Sequence, residues 1–418
     1  MTRNSASTWQ PWIVIFAASL FFFYIFIQLN MFNAINPALM ATFSVGPNVT
    51  GNLSAYYFYA DVLFLFPAGI ILDRVSTRNM IAGAMAVAVI GTLLFSFSTS
   101  IWQASLCRFA IGAAGAFCLL SAVRLATRWF PPQRLALVIG LIVTFAMIGG
   151  MVAQTPLTLL TDHFGWRHAM LLDAVFGVML WVVMWFSVKD FPRGFKKEEA
   201  LSHSAAFWPS LFRVIRNRQN WLAGLFVSLM NLPVFLLGGN WGSLYLVEMD
   251  HLTRDAASWV IMFFFIGLII GCPLCGAWSD YWRRRKAPMI ISAAIAVAVM
   301  LALMFLHFNL LGLFAIFFAL GFISGAQVIG YPLIAESNSP QLTGTAEGLG
   351  SVLIMAGGFT VPWFADLMNW HWSHHYLNNV PLYSAYDFEI ALAIMPVAFV
   401  LAFLVSLCVK ESRCKNIS

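Results

Sequence analysis

The chain has 418 residues, of which 61% are hydrophobic and only 10% charged, and its mean hydropathy is +0.82. A water-facing surface of this size needs about a quarter of its residues charged, so soluble folds are excluded. The 23 Lys and Arg against 17 Asp and Glu leave a formal charge of +6, but the cations form no basic stripe, which argues against a nucleic-acid partner.

Apolar runs of about 20 residues predict an all-α membrane protein. In chain order the expected spans are 12–36, 53–72, 80–98, 103–126, 135–160 and 169–188, then 221–246, 256–278, 287–307, 310–334, 346–368 and 389–409. The first run is too long for a cleaved signal and has no small-residue cleavage site after it, so it reads as an uncleaved span. Five cysteines lie in apolar runs and Cys414 in a basic tail. The Cys272-Pro-Leu-Cys275 spacing lacks a second pair or a nearby His, so it predicts packing rather than a metal site.

Lys and Arg set the orientation. With a cytoplasmic N-terminus, nineteen cations fall in inner segments, and only Arg167 and Arg254 fall in outer loops. Both termini are therefore expected inside. The polar stretch 189–220 is the one obvious linker, dividing an N-terminal bundle, 1–188, from a C-terminal bundle, 221–418. Its basic-aromatic part, with Trp208, Phe212, Arg213 and Arg216, predicts a helix lying on the inner leaflet. The Asn48-Val-Thr50 and Asn52-Leu-Ser54 triplets are external glycosylation matches that matter only in a glycosylating host.

The second half repeats the first. Gly69 and Asp73 align with Gly276 and Asp280 at an offset of 207, and Pro132, Gln133, Gly140, Gly149 and Gly150 align with Pro340, Gln341, Gly348, Gly357 and Gly358 at 208. Two pseudo-symmetric six-helix bundles with a cavity at their interface follow from such a repeat. The sharpest repeated unit is Gly69-Ile-Ile-Leu-Asp73-Arg74-Val-Ser76-Thr-Arg78, echoed by Gly276-Ala-Trp-Ser-Asp280-Tyr-Trp-Arg283-Arg284-Arg285. With these residues the chain resembles the major facilitator superfamily, whose signature after the second span is Gly-x3-Asp-Arg-x-Gly-x-Arg. Supporting matches are Arg108-x3-Gly112-x2-Gly115, Trp129-Phe-Pro-Pro-Gln-Arg134 and Gly165-Trp166-Arg167. Ser76 stands where the family has Gly, which puts that turn in question. The resemblance implies a rocker-switch carrier in which Gly69, Asp73, Arg74 and Arg78, with Gly276, Asp280 and Arg284, latch the cytoplasmic side; plain anchoring of the loops is the alternative. The opening stretch through Gln28, Asn33 and Asn36, with Tyr57-Phe-Tyr-Ala-Asp61, is similar to phagosomal-transporter-type carriers of intracellular bacteria, which implies an amino acid or nucleoside as cargo.

Ionisable groups inside spans are functional candidates. Asp61 and Arg108 fall at similar depths, so they are expected to pair, or to alternate partners. Pairing favours the carboxylate and apolar burial the acid, so such a switch would couple to protons; a fixed structural ion pair is the alternative. Helical spacing places Tyr24 with Gln28, and Ser324 with Gln327 and Tyr331, on single faces. With Tyr57, Arg108, Gln154, Asn231, Asn240 and Trp241 they make an expected substrate-binding wall for a small polar solute, Arg108 taking a carboxylate. For each amide, an interhelical hydrogen bond is the alternative. Arg128 and Glu336 occupy equivalent repeat positions and are expected to brace the halves at the inner side. Asp173 and Asp366 are expected in water near outer span ends, and His371, His374 and His375 in an outer aromatic-rich cap rather than a metal site.

No G-x4-G-K-[ST] loop supports an ATPase. The expectation is a non-enzymatic, monomeric secondary carrier of the bacterial inner membrane, without cofactor or metal, whose partners are a small-molecule substrate, protons and the lipid bilayer. Proton-coupled import leads; a proton-coupled drug-efflux antiporter and a non-transporting membrane sensor are the alternatives.

Overall fold

The structure is a computed structural model and describes residues 9–131, 134–192, 207–339, 342–370, 376–377, 380–381 and 383–415. It is helical apart from one two-stranded ladder, β1 (Tyr376–Leu377) against β2 (Val380–Pro381). Helices α1 (Gln10–Asn30), α2 (Phe32–Phe43), α3 (Pro47–Arg74), α4 (Thr77–Ser96), α5 (Ile101–Gly115), α6 (Cys118–Trp129), α7 (Leu135–Val152) and α8 (Thr155–Ser187) form the first half. After α9 (Phe207–Arg216) come α10 (Arg218–Pro233), α11 (Gly242–Met249), α12 (Arg254–Trp282), α13 (Lys286–Phe305), α14 (Leu310–Ser324), α15 (Gly330–Glu336), α16 (Thr343–Ala356), α17 (Thr360–Trp370), α18 (Ala385–Leu392) and α19 (Ile394–Cys408).

Ten helical segments among the described residues are long and apolar enough to cross a membrane. One of them, Leu137–Ser187, has 51 residues, about twice what a bilayer needs, and it turns at Gly165, whose φ of +78° only glycine adopts freely. The apolar surface is that of a lipid-solvated protein: Trp102, Phe186, Phe305 and Leu311 are all at least 70% exposed.

Several helices are broken near their middles. Residues 116–117 separate α5 from α6, a π-helical turn follows Pro233 over Val234–Trp241, and 3-10 turns fill Gly325–Ile329 and Gly357–Phe359. Proline supplies no N–H, and π geometry redirects the carbonyls that follow it. Both effects free backbone groups at mid-depth.

The repeat is visible as packing. A Cβ on Gly112 would overlap the Tyr57 carbonyl, and one on Gly321 would overlap the Phe264 carbonyl. Likewise a Cβ on Gly150 would meet the Phe265 ring and one on Gly358 the Phe58 ring. Tyr57 and Phe58 lie 207 residues before Phe264 and Phe265. One knob and glycine socket thus occurs once within each half, and a second occurs twice across the interface between them.

The end of the molecule at which α1 begins and α19 stops is tied down by matching acids. Asp190 accepts from Ser76 Oγ and from the Arg78 amide at 2.9 Å; Glu411 accepts from the Arg285 and Lys286 amides at 2.8 and 3.0 Å. Each carboxylate caps the first turn of a helix, where free N–H groups favour negative charge. Ser76 itself caps α4 with φ of −55°, so no glycine is needed at that turn. Here this end is called proximal and the opposite end distal.

Candidate functional site

Arg108 is the centre of the site. Gly112 and Gly115, one and two turns on, let α5 lie directly against Tyr57 of α3, and this close approach buries Arg108 completely. Its guanidinium lies over the rings of Phe32 (4.9 Å) and Tyr57 (5.2 Å), and its Nη1 donates to the Gln28 carbonyl at 2.8 Å. Cation–π contacts of this kind hold a charge without neutralising it. Nε and Nη2 have no partner. A buried guanidinium with unused donors is costly unless an acceptor completes it, and its planar fork suits a carboxylate or phosphate.

Other unpartnered buried atoms lie on the elements around it. Asn36, one turn beyond Phe32 on α2, has neither amide atom bonded; Ser54 and Asp61 Oδ1 lie on α3 to either side of Tyr57. Across the interface, Trp241 Nε1 and Asn240 Oδ1 are unpartnered in the π-turn, where Trp241 stacks on Phe364 and touches Gly51 of α3. Sequence reasoning missed Asn36 and Ser54 as site residues; Asn36 lies eight residues beyond Gln28, a spacing close to two helical turns, which was the available signal.

Several expectations are corrected. Asp61 and Arg108 form no ion pair: the arginine is held by aromatic faces and a carbonyl instead. Tyr24 and Gln28 face the packing between α1, α4 and α8 rather than the interface. There Gln28 Nε2 donates to Asp173, Thr92 Oγ1 donates to Gln28 Oε1 at 3.0 Å, and the Tyr24 ring lies against Gly177. Asp173 is accordingly buried, 7% exposed, and not in water, because α8 continues past the Gly165 turn and Arg167 folds back onto the Ser98 carbonyl. Asp366, by contrast, is exposed and borders a cleft of about 390 Å³ beside Trp363 and Trp370.

Gln154 acts as a clamp between the halves. Its Nε2 donates to the Gly150 carbonyl in its own half and to the Gly238 carbonyl in the other, at 3.1 and 3.0 Å. Asn33 adds bonds to the Leu237 and Gly238 carbonyls, both at 2.6 Å, and accepts from the Ser243 amide at 3.1 Å. The carbonyls belong to the π-turn, so the break in that helix supplies the handles. Arg254 completes the closure by donating to the Asp162 carboxylate and to the Ala34 carbonyl, the latter at 2.8 Å. Among the described residues every side-chain hydrogen bond between the halves lies in this distal region. The distal end is sealed.

Of the remaining expected substrate residues, Asn231, Ser324 and Gln327 are buried and Tyr331 is half-buried. Ser324 Oγ has no partner, while Asn240 Nδ2 turns back to the Phe235 carbonyl at 2.7 Å.

At the proximal end Arg128 and Glu336 do not meet. Arg128 approaches Asp190 (3.8 Å) and Thr77 (3.0 Å) and covers the Phe191 ring, contacts to its own half and to the start of the linker. Glu336 instead binds Arg285 at 2.7 Å and accepts from Ser412 at 2.5 Å. Arg285 also bonds Asp280 at 2.5 Å, so it replaces Arg284, which is exposed, as the partner of the repeated aspartate. The left-handed turn at Arg283 decides which of the three arginines points inward. Burial alone would lower the Arg285 pKa, but the hydrogen bonds and charges of Glu336 and Asp280 outweigh it and raise it. Arg78 donates to the Trp185 carbonyl at 2.8 Å and lies over that ring. Gly276 is in ordinary contact only, since an added Cβ would be 3.6 Å from Val328. The surroundings of Gly69, the side chains of Asp73 and Arg74, and the histidines at 371, 374 and 375 lie outside what the structure describes.

A model of the Major Facilitator Superfamily matches residues 16–362 and 233–410. The chain belongs to this superfamily. It is a multi-pass helical membrane protein of a family of transporters rather than enzymes. It is 23% identical over 368 residues to the membrane sensor protein UhpC of Salmonella typhimurium, covering 82% of each chain, and 22% identical over 408 residues to a probable hexose phosphate transport protein of Chlamydia muridarum, covering 87% of each. Its fold matches a crystal structure of a bacterial homologue of the human lysosomal transporter Spinster in an inward-facing, unoccupied conformation. That match has a TM-score of 0.74 at 16% identity and covers 96% of this chain and 98% of the other.

Proposed function

We propose that the chain is a proton-coupled secondary carrier of the bacterial inner membrane that takes up a small polar metabolite bearing a carboxylate or phosphate. Dividing the 51-residue segment at Gly165 and adding α3 to the ten apolar segments gives twelve spans. The positive-inside bias then puts both termini, and hence the proximal end, in the cytoplasm. The two halves, 1–188 and 221–418, rock about Arg108, and the distal seal corresponds to an inward-facing state.

The observation that carries the cargo class is the buried Arg108 with two nitrogens lacking acceptors. The hexose phosphate carrier named above fits an anionic cargo better than the amino acid or nucleoside expected from the sequence. Hydrophobic-drug efflux is disfavoured by the amides and hydroxyls around that arginine. In this state Asp61 is buried without a cation, an uncompensated charge that a proton would remove. Pairing with Arg108 belongs to the outward-facing state, in which no substrate occupies the guanidinium.

Thermal-shift screening of purified protein against glucuronate, glucose 6-phosphate, amino acids and nucleosides tests the cargo. The expected result is stabilisation by acidic sugars in the wild type and none in Arg108→Lys, which keeps the charge but loses the fork. Stabilisation by neutral nucleosides or lipophilic cations alone sinks the proposal. Uptake into proteoliposomes under an imposed proton gradient tests coupling, and unchanged accumulation by Asp61→Asn would remove Asp61 from it. The similarity to UhpC supports a second reading, a sensor: binding without uptake would favour it.

A further inference from the structure

Behind the Arg108 site lies a second polar group of residues, between α1, α4 and α8. Asp173 is its only carboxyl, buried and without a cation within 4 Å among the described residues. One residue joins it to Arg108. Gln28 donates from Nε2 to Asp173, accepts at Oε1 from Thr92 Oγ1 (3.0 Å), and accepts at its main-chain carbonyl from Arg108 Nη1 (2.8 Å). The Thr92 hydroxyl is also 3.0 Å from the Ala88 carbonyl. Its single proton can serve only one of those two acceptors at full strength.

We propose that Asp173 is a proton-binding group, switched by rotation of the Gln28 amide, whose protonation frees the charge of Arg108 for an anion. This rests on the anion-carrier reading above. The step gains one proton and breaks no covalent bond. A proton adds to the Asp173 oxygen that faces Gln28, turning an acceptor into a donor. The Gln28 amide then rotates by half a turn and presents Oε1 to the acid. Nε2 swings to Thr92 Oγ1, whose hydroxyl turns its proton to the Ala88 carbonyl. The Gln28 amide oxygen and nitrogen, the Thr92 hydroxyl and the Asp173 oxygen that faces Gln28 each have a partner in both arrangements, so this is a two-state element rather than a broken network.

The surroundings leave Asp173 as the group that changes charge. From α1, Tyr24 faces it one turn before Gln28, with an unpartnered hydroxyl. From α4 comes Thr92, with no titratable side chain at that depth, and α2 and α7 carry none at all. From α12, Arg254 and Asp255 lie at the distal tip, where Arg254 already serves Asp162. On α8 itself Arg167 is engaged by the Ser98 carbonyl and the Trp166 ring, and His168 by the Phe164 carbonyl. Arg108, across Gln28, is the cation whose field changes when Asp173 is neutralised.

Infrared pH-difference spectra of the protein in lipid bilayers test the switch directly. One component of the titrating carboxylic-acid C=O band is expected to be present in the wild type and in Asp61→Asn, lost in Asp173→Asn and displaced in midpoint in Gln28→Leu. If Asp173→Asn does not fold, the wild type with carbon-labelled aspartate, compared with Gln28→Leu, supplies the same readout. A purely structural carboxylate would give no titrating band and no displacement, and either result overturns the proposal. Glucuronate binding to Asp61→Asn should tighten on the order of tenfold from alkaline to acidic pH, and that pH dependence should be lost when Asp173→Asn is added. Absence of glucuronate binding would count against the anion-carrier reading, while the infrared band still decides Asp173.

Discussion

Replacing Asn33 with Ala should open the distal end. The side chain makes two donated bonds to π-turn carbonyls and accepts one from the Ser243 amide, all across the interface. In a distal-open state water replaces these partners, so each bond is worth its net value of about 1 kcal/mol rather than its gross strength. Three such bonds amount to about 3 kcal/mol, a shift of roughly 150-fold between the two states. A wild-type ratio of about 100:1 in favour of the sealed form would therefore fall to near unity. Gln154 still reaches the Gly238 carbonyl and the Gly242 amide still donates to the Leu237 carbonyl, so the Ser243 amide is the group that loses its cross-interface partner. Spin labels at Thr99 and Leu306, on exposed loops at the distal ends of the two halves, would report the change as a second, longer distance in pulsed electron resonance on a cysteine-free background. A distance distribution identical to that of the parent, in a variant that melts normally, would refute the assignment of the amide clamp as the seal.

Glu336→Ala should destabilise by about 1.5–3 kcal/mol, since it removes the carboxylate that binds Arg285 and accepts from Ser412 while Asp280 keeps the other edge of the guanidinium; thermal unfolding in detergent measures this, and Arg284→Ala should be near neutral in the same assay. Gly358→Leu should exclude the Phe58 ring from its socket, shifting the Thr99–Leu306 distance in the same direction as Asn33→Ala; an unchanged distance would mean that this ring is not part of the seal. Burial raises the Asp250 pKa, an effect that His307 and His251 only partly offset. A raised carboxyl pKa means that the folded state loses stability as pH rises through the ordinary carboxylate range and up to that raised value. Asp250→Asn should therefore melt higher than the wild type at neutral pH and converge with it in acid, and a gap that persists in acid would contradict this origin.

The sequence carried the repeat well because glycine sockets and aromatic knobs are distinctive residue types at fixed spacing. The pairs Phe58 with Gly358 and Phe265 with Gly150 realise the offset that Gly150 and Gly358 announce. Partner choice among polar residues was not legible. Arg283, Arg284 and Arg285 are equivalent as letters, and only the left-handed cap at Arg283 aims the third one at Asp280 and Glu336. Asp173 looked wetted because four apolar residues separated it from the expected span end, whereas the Gly165 turn and the Arg167 side chain extend the cover beyond it. Gln154 looked like a ligand group because its partner is a backbone carbonyl, which no residue type reveals.

That last case bears on how the seal works. A clamp made of two side chains can be broken by a change on either side, but here Asn33 and Gln154 grip carbonyls that the π-turn at Val234–Trp241 exposes. The donors are sequence-specific and the acceptors are geometric. If the π-turn tightened into a regular helix, the Leu237 carbonyl would exchange the Gly242 amide for an i+4 partner, and it and the Gly238 carbonyl would turn onto the helix axis and away from the clamp, with no side chain moving first. Asn240 and Trp241, whose unpartnered atoms lie in the same turn, are then well placed to link occupancy to opening. A cargo that bonds either of them acts on the segment whose winding holds the two halves together.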